Sequence, residues 1–261
     1  MNIVVCIKQV PDTNEVRIDP VKGTLIRDGV PSIMNPDDKA ALEFALAIKD
    51  KTSDAHVDVV SMGPPQAEAI LHEALAMGAD DAFLVTDRAF GGADTWATSS
   101  TIAGAVSKID YDLIICGRQA IDGDTAQVGP EMAEHLGIPN ISYAASLDVD
   151  GDSIVVKRHY DDGYHIVRAK MPCLVTALAE AVTPRYMTPG AIFDSFDNYE
   201  ITRWTRSEVP VEDDNIGLAG SPTRVAQSFP KAVKAPGMKI EKGVDESVQF
   251  ILDRLHEKYV L

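Results

Sequence analysis

The sequence predicts an α/β protein: an open, mostly parallel sheet with helices on both faces in a Rossmann-like three-layer arrangement, an antiparallel extension and a C-terminal arm. Three observations predict it. Through the first half, short β-branched runs alternate with stretches of helical periodicity, the pattern of a parallel sheet covered on both faces. From Ile141 onward, strand-like runs follow one another with only tight turns between them. Beyond about residue 190 the periodicity lapses, and it ends in an amphipathic segment. Residues 1–190 are therefore expected to form the α/β domain and 191–261 an arm ending in a helix.

In chain order, the first strands are Ile3–Lys8, Val57–Ser61, Ala82–Thr86 and Leu113–Cys116. Between them, Asp37–Lys49 places Ala41, Leu42, Ala45, Leu46 and Ile48 on one helical face, and Pro64–Met77 does the same with Ala67, Ile70, Leu71, Ala74 and Leu75. Asn35 can cap the first helix with Pro36 at its first position; Pro64 and Pro65 after Gly63 open the second. A third helix is expected near Asp94 and a fourth near Gln127 to Pro130. Val16–Ile18, a turn from Pro20 to Gly23 and Leu25–Ile26 read as a small hairpin inserted after the first strand. Later, Ile141–Val149, Ile154–His159, Tyr164–Ala169 and Cys173–Leu178 read as the antiparallel extension. The pattern lapses through Asp194–Gly220, returns over Ser221–Phe229, and returns again over Asp245–Tyr259. There Val248, Ile251, Leu252, Leu255 and Tyr259 make one apolar stripe, which needs its own core or a partner to cover it.

With 261 residues and 45% hydrophobic content, the chain can bury a sizeable core. A formal net charge of −16 opposes any grip on nucleic acid or anionic membrane, both of which need basic clusters. Cys6, Cys116 and Cys173 lie far apart in apolar runs with no C-x-x-C spacing, and read as reduced thiols of a cytoplasmic protein. No secretory apolar core opens the chain and no run of about eighteen apolar residues occurs, so neither export nor a membrane span is indicated. Asp148, Asp150 and Asp152 suggest a calcium loop, but Ser153 and His159 stand where Gly and Glu are required, so a solvated hairpin turn is expected. No Ser-His-Asp spacing, HExxH or CxxC pair supports a hydrolase or metal enzyme, and the six histidines are scattered. No side chain is assigned as acid, base, nucleophile or metal ligand; the chemistry must come from a cofactor.

The most informative stretch is Gly117-Arg118-Gln119-Ala120-Ile121-Asp122-Gly123-Asp124-Thr125-Ala126-Gln127-Val128-Gly129-Pro130, directly after the apolar run Tyr111–Cys116. It is a strand, a small-residue loop and a helix start. At the carboxyl end of a parallel strand, such a loop offers backbone N–H groups that suit a phosphate. It lacks the Gly-Lys-Ser/Thr ending of a Walker loop and has no GxGxxG. Gly123, Thr125, Ala126 and Gln127 suit phosphate through small size, a hydroxyl and unobstructed amides. Asp122 and Asp124 would repel it, so they orient the loop, bind ribose or face away; they can also serve only as local turn or cap residues.

This segment resembles the signature region of the electron transfer flavoprotein beta subunit. The opening Asn2-Ile3-Val4-Val5-Cys6-Ile7-Lys8-Gln9-Val10-Pro11-Asp12-Thr13, the Met34-Asn35-Pro36 turn, Ala74-Leu75-Ala76-Met77-Gly78-Ala79-Asp80 and Pro184-Arg185-Tyr186 resemble the same family in the same order, so the likeness spans essentially the whole chain. It implies a nucleotide at the strand-end crevice: AMP in the ordinary branch, a complete FAD in the electron-bifurcating branch. Carried over, it puts Cys6 beside the adenine, Asn35 and Met62 at neighbouring loops, and Asp122, Gly123, Asp124, Thr125, Ala126, Gln127 and Val128 around the phosphates. On their own chemistry, Cys6 and Met62 also read as core residues at strand ends and Asn35 as a simple cap.

Asp87-Arg88-Ala89-Phe90-Gly91-Gly92-Ala93-Asp94-Thr95, with Asn35-Pro36-Asp37-Asp38 and Met62-Gly63-Pro64-Pro65, resembles the bifurcating branch. Gly91 and Gly92 allow close backbone approach to a planar ring, and Asp94 and Thr95 open a helix whose N-terminus suits a reduced flavin; an ordinary glycine loop is the other reading. The branch implies a heterodimer with an alpha subunit that the C-terminal arm embraces. In it, NADH delivers hydride to the flavin, one electron passes through the alpha-subunit flavin to an acyl-CoA dehydrogenase, and the other goes to ferredoxin or flavodoxin. Ala181 stands where the ordinary branch offers a leucine to its dehydrogenase, which puts that docking mode in question. A stand-alone adenine-nucleotide-binding module of stress-protein type is the remaining reading, and the long arm argues against it.

Overall fold

The computed structural model describes residues 1–12, 17–18, 25–26, 31–52, 54–226 and 237–260. Strands β1 (Asn2–Cys6), β2 (Gln9–Pro11), β3 (Arg17–Ile18), β4 (Leu25–Ile26) and β5 (Ser32–Met34) precede helix α1 (Pro36–Lys51). Then come β6 (His56–Met62), α2 (Glu68–Met77), β7 (Asp81–Val85), α3 (Thr95–Val106), β8 (Leu113–Gly117) and α4 (Val128–Leu136). The second half holds β9 (Asn140–Asp150), β10 (Ser153–Tyr160), β11 (Gly163–Lys170), β12 (Cys173–Ala177), α5 (Pro189–Asp197), β13 (Ile201–Trp204) and α6 (Val244–Glu257). Met1–Ala226 forms one compact unit and Gln227–Leu261, which contains α6, a second.

In the first unit, one nine-stranded sheet runs β11-β10-β9-β12-β8-β1-β6-β7-β13. Period-two alternation along β1 divides it between two cores: Ile3 and Val5 pack with Leu42, Leu46 and Leu71 of α1 and α2, while Val4 and Cys6 pack with Ala103 and Met132 of α3 and α4. Helices therefore cover both faces, as expected of a mostly parallel sheet. The expected hairpin is present as the antiparallel pair β3 and β4; Val16 and its turn, residues 19–24, lie outside the described residues, as does Thr13 of the opening motif.

Two expectations are corrected. Cys173–Leu178 is not part of the antiparallel extension: β12 lies between β8 and β9 and runs parallel to both. Every residue of β12 is buried, the signature of a central parallel strand. Within this sheet the antiparallel pairings are those of β10 with β9 and with β11. The lapse read over Asp194–Gly220 conceals the end of α5 and an edge strand. Thr188 caps α5 by accepting from the Ala191 N–H, and β13 pairs parallel with β7. β13 buries only Trp204, which stacks on Phe83 at 4.7 Å between centroids, beneath Lys108 Nζ at 3.9 Å. So little buried surface leaves no alternation to read. Of Ser221–Phe229, residues 221–226 form no regular element and 227–229 lie outside the described residues. Among the described residues no helix is long and apolar enough to cross a membrane.

Removing a buried tryptophan costs about 3–5 kcal/mol. Trp204→Ala should accordingly lower stability by about 3 kcal/mol or more in urea unfolding. An unchanged midpoint would mean that β13 adds nothing to the sheet.

Candidate functional site

After β1 the chain builds the sheet outward through β6 and β7, then returns to the other flank of β1 with β8. The crevice at the carboxyl ends of β1 and β8 is thus the topological switch point, where open α/β sheets bind ligands. Cys6 and Cys116 lie side by side there, in register and buried. Met62 ends the next strand, β6, half-buried against the same core.

The first turn of α1 holds this crevice together from beneath. Asp38 accepts hydrogen bonds from Lys8 N–H through Oδ2 (2.8 Å) and from Gly117 N–H through Oδ1 (3.0 Å), tying the end of β8 to the residues just after β1. A Cβ at position 117 would lie 2.2 Å from Asp38 Oδ1, so only glycine allows the strand end to settle on this carboxylate. Asp37 accepts from the N–H groups of Gln119 and Ala179, with Arg118 Nε 3.3 Å away. Asn35 does not cap α1 with its side chain. Its Nδ2 donates to the Gln119 carbonyl (2.8 Å) and its Oδ1 accepts from Ile121 N–H (3.1 Å), so it fastens the loop after β8 instead.

Burial raises Asp38, against the hydrogen bonds from Asn35, Lys8 and Gly117, to about 7. Burial also raises Asp37, against the attraction of Arg118. Both carboxylates are spent on backbone donors of the surrounding loops.

Beyond Gln119 the loop turns sharply, with the N–H groups of Gly123 and Asp124 both donating to the Ala120 carbonyl. Asp122 is buried against Lys8 Nζ at 2.7 Å, and Asp124 accepts from Gln119 Nε2 at 2.9 Å. Both acidic residues orient the loop. Asp124 and Ala126 adopt left-handed backbone, φ 51° and 53°, on either side of Thr125. Such residues cost of order 1–3 kcal/mol each and persist where the surroundings fix them. The N–H groups of Thr125, Ala126, Gln127 and Val128 have no partner among the described residues, and they sit at the N-terminus of α4. Aligned free donors at a helix start are a ready anion site. The exposed Gly123 adds open space beside them.

Asp94 caps α3 through Ala97 N–H, and its other oxygen accepts from Thr223 N–H and Oγ1. Burial would raise its pKa, but Thr223, Ala97 and Ser221 hold it below the usual carboxylate range. Gly92 has φ 75°, a backbone conformation that favours glycine whatever binds nearby, and a Cβ there would also crowd Leu218 Cβ at 3.2 Å. Thr95 Oγ1 donates to Glu131 Oε1 of α4 at 3.1 Å, which joins this second loop to the helix that follows the first.

Cys6, Asn35, Met62 and the 122–128 loop thus lie at the ends of β1, β6 and β8, while Thr95 is joined through Glu131 only to the helix after that loop and Asp94 is engaged with Ala97 and Thr223. Sequence reasoning missed the bracing by Lys8, Asp37, Asp38 and Gly117. The available signal was that Asp38 precedes Ala41, Leu42 and Ala45 at helical spacing, which puts a carboxylate on the buried face of α1.

The chain matches the electron transfer flavoprotein domain over residues 22–206. It is 58% identical to the electron transfer flavoprotein subunit beta of Clostridium acetobutylicum over the full length of both chains. It is 48% identical to the caffeyl-CoA reductase-Etf complex subunit CarD of Acetobacterium woodii and 45% identical to the acryloyl-CoA reductase electron transfer subunit gamma of Anaerotignum propionicum, again across the whole of each.

Because Asp38 uses both oxygens, Asp38→Asn would turn an NH2 toward a backbone N–H, at a cost of about 1–3 kcal/mol. An unfolded aspartate releases its proton near 3.8 and folded Asp38 near 7. The folded state therefore holds the extra proton in that window. The resulting stabilisation is full below about pH 4 and is lost as pH rises through about 7. The stability of wild type minus variant, from urea unfolding across this range, should fall with rising pH; a flat difference would contradict the assignment.

Proposed function

The chain belongs to the electron transfer flavoprotein family as a beta subunit, and from that premise we propose that it holds FAD in the β1/β8 crevice of a bifurcating heterodimer. The observation carrying this reading is the run of unpartnered amides from Thr125 to Val128 at the start of α4, which fits a diphosphate. When bound, the flavin would supply the redox chemistry, namely hydride acceptance from NADH and onward transfer of one electron to ferredoxin or flavodoxin and one, by way of the alpha-subunit FAD, to an acyl-CoA dehydrogenase. The chain's own residues bind and orient. Thr125 to Val128 take the phosphates with Gly123 leaving space beside them, Cys6 and Met62 flank the adenosine, and Asn35 keeps the loop in place. The N-terminus of α3, set by Asp94 and Thr95, would lie toward the ring and favour an electron-rich form. The likeness of 87–95 to the bifurcating branch supports FAD over AMP, and the names of the two reductase-complex relatives support an acyl-CoA partner enzyme. The apolar stripe of α6, Val248, Ile251, Leu252 and Leu255, meets the alpha subunit.

Heat release from the purified heterodimer should yield FAD from this chain, and anaerobic NADH should bleach it. AMP with no NADH-dependent bleaching would replace this reading with the ordinary carrier. Thr125→Phe crowds the free amides and should lower nucleotide occupancy severely, whereas Asp122→Asn should lower it less; full occupancy in the Phe variant would remove the loop from the site. Burial of each stripe side chain is worth about 1.5–3 kcal/mol. A chain ending at Lys242 should therefore fail to co-purify with the alpha subunit, and unchanged co-purification would show that α6 does not bind it.

A further inference from the structure

At the amino-terminal ends of β6 and β7, the far edge of the sheet from the nucleotide crevice, one imidazole meets two carboxylates. His56 and Asp58 are two apart on β6 and share a face, and the register sets Asp58 directly beside Asp81 of β7. His56 Nε2 lies 3.2 Å from Asp58 Oδ1 and 3.0 Å from Asp81 Oδ2. Among the described residues, this is the one group of three such ligand atoms lying within 4.8 Å of one another. Like charges directly opposite on neighbouring strands destabilise a sheet, and Asp58 is only 5% exposed, with His56 Nε2 its one side-chain partner among the described residues. That nitrogen carries at most one proton for two carboxylates.

We propose that His56, Asp58 and Asp81 bind a divalent transition-metal ion of the zinc type, with a fourth position open to water. Zinc lies about 2.0–2.2 Å from histidine nitrogen and carboxylate oxygen, so tetrahedral ligand atoms stand roughly 3.3–3.5 Å apart, close to the spacing found. A second, independent feature lies behind the imidazole. Asp80 Oδ2 is 3.8 Å from His56 Nδ1, and Asp80 is itself fixed by Lys49 Nζ, 2.7 Å from each oxygen, and by Val57 N–H at 2.9 Å. The carboxylate thus stands on the side of the ring where metal-binding histidines find their outer support, and a closing of several tenths of an ångström would let it accept the Nδ1 hydrogen bond that sets ring orientation. Bound metal would neutralise the facing carboxylates and pin β6 to β7.

The full-length chain, freed of metal with chelator and dialysed, is titrated with zinc chloride by calorimetry and with cobalt(II) by visible absorption. One equivalent of zinc and the strong visible bands of four-coordinate cobalt are expected. His56→Gln and Asp81→Asn should each weaken binding by about tenfold or more. The Asp81 side chain is 59% exposed, so its variant keeps the fold even if changes at Asp58 do not. Zinc should raise the thermal midpoint of wild type by more than that of either variant at the same concentration. Substoichiometric uptake, or equal uptake by wild type and both variants, would overturn the site and leave His56 as a hydrogen-bond partner of the two carboxylates.

Discussion

A carboxylate buried under the ends of two parallel strands must receive hydrogen bonds from whatever surrounds it, since leaving it unpaired costs several kcal/mol. Asp38 receives them from Lys8 and Gly117, and by doing so it fixes the residues after β1, the end of β8 and the first turn of α1 as one piece. The rest of the crevice depends on that piece. Gly117 has to be glycine because Asp38 lies against it, and Asn35 and Asp37, from the same turn, then hold Gln119 and Ile121. With its base fixed at these points, the following loop can sustain two left-handed residues and leave its next four amides free.

This division of labour explains why so acidic a loop can serve an anion. Asp122 is paired with Lys8 and Asp124 with Gln119, so their side chains are engaged in shaping the loop. On the proposed reading, the attraction for phosphate comes from backbone dipoles and the start of α4, which need no basic side chain. A chain with a net charge of −16 can thereby bind an anionic nucleotide. Affinity of this kind resides in loop geometry, so it is sensitive to substitutions in α1 that touch no ligand.

Much of this was legible in the sequence. The apolar strand β1, the helical face of α1 and the Asp94 cap all follow from side-chain pattern and local hydrogen bonding, and the structure has them where the pattern puts them. The 117–130 loop was legible as strand, turn and helix start. What escaped was non-local. β12 reads like any apolar run, and only tertiary pairing tells whether it lies parallel between β8 and β9 or continues a hairpin series. β13 buries one tryptophan at a sheet edge and so carries no periodic signal. Asn35 reads as a cap because Asn before Pro usually is one, yet its side chain crosses to a loop more than eighty residues away in sequence. Acidic residues in the first turn of a helix read as dipole partners; that Asp37 and Asp38 are buried depends on strands that the local sequence does not reveal.

The central claim is that the amides of Thr125, Ala126, Gln127 and Val128, held open by the α1 turn, are the phosphate grip. Residue-resolved hydrogen exchange on nucleotide-loaded and nucleotide-stripped protein tests it directly. Loading should slow exchange at these four amides while leaving Gly123 and Asp124, already bonded to Ala120, nearly unchanged. Exchange at the four amides that is the same with and without nucleotide would contradict it.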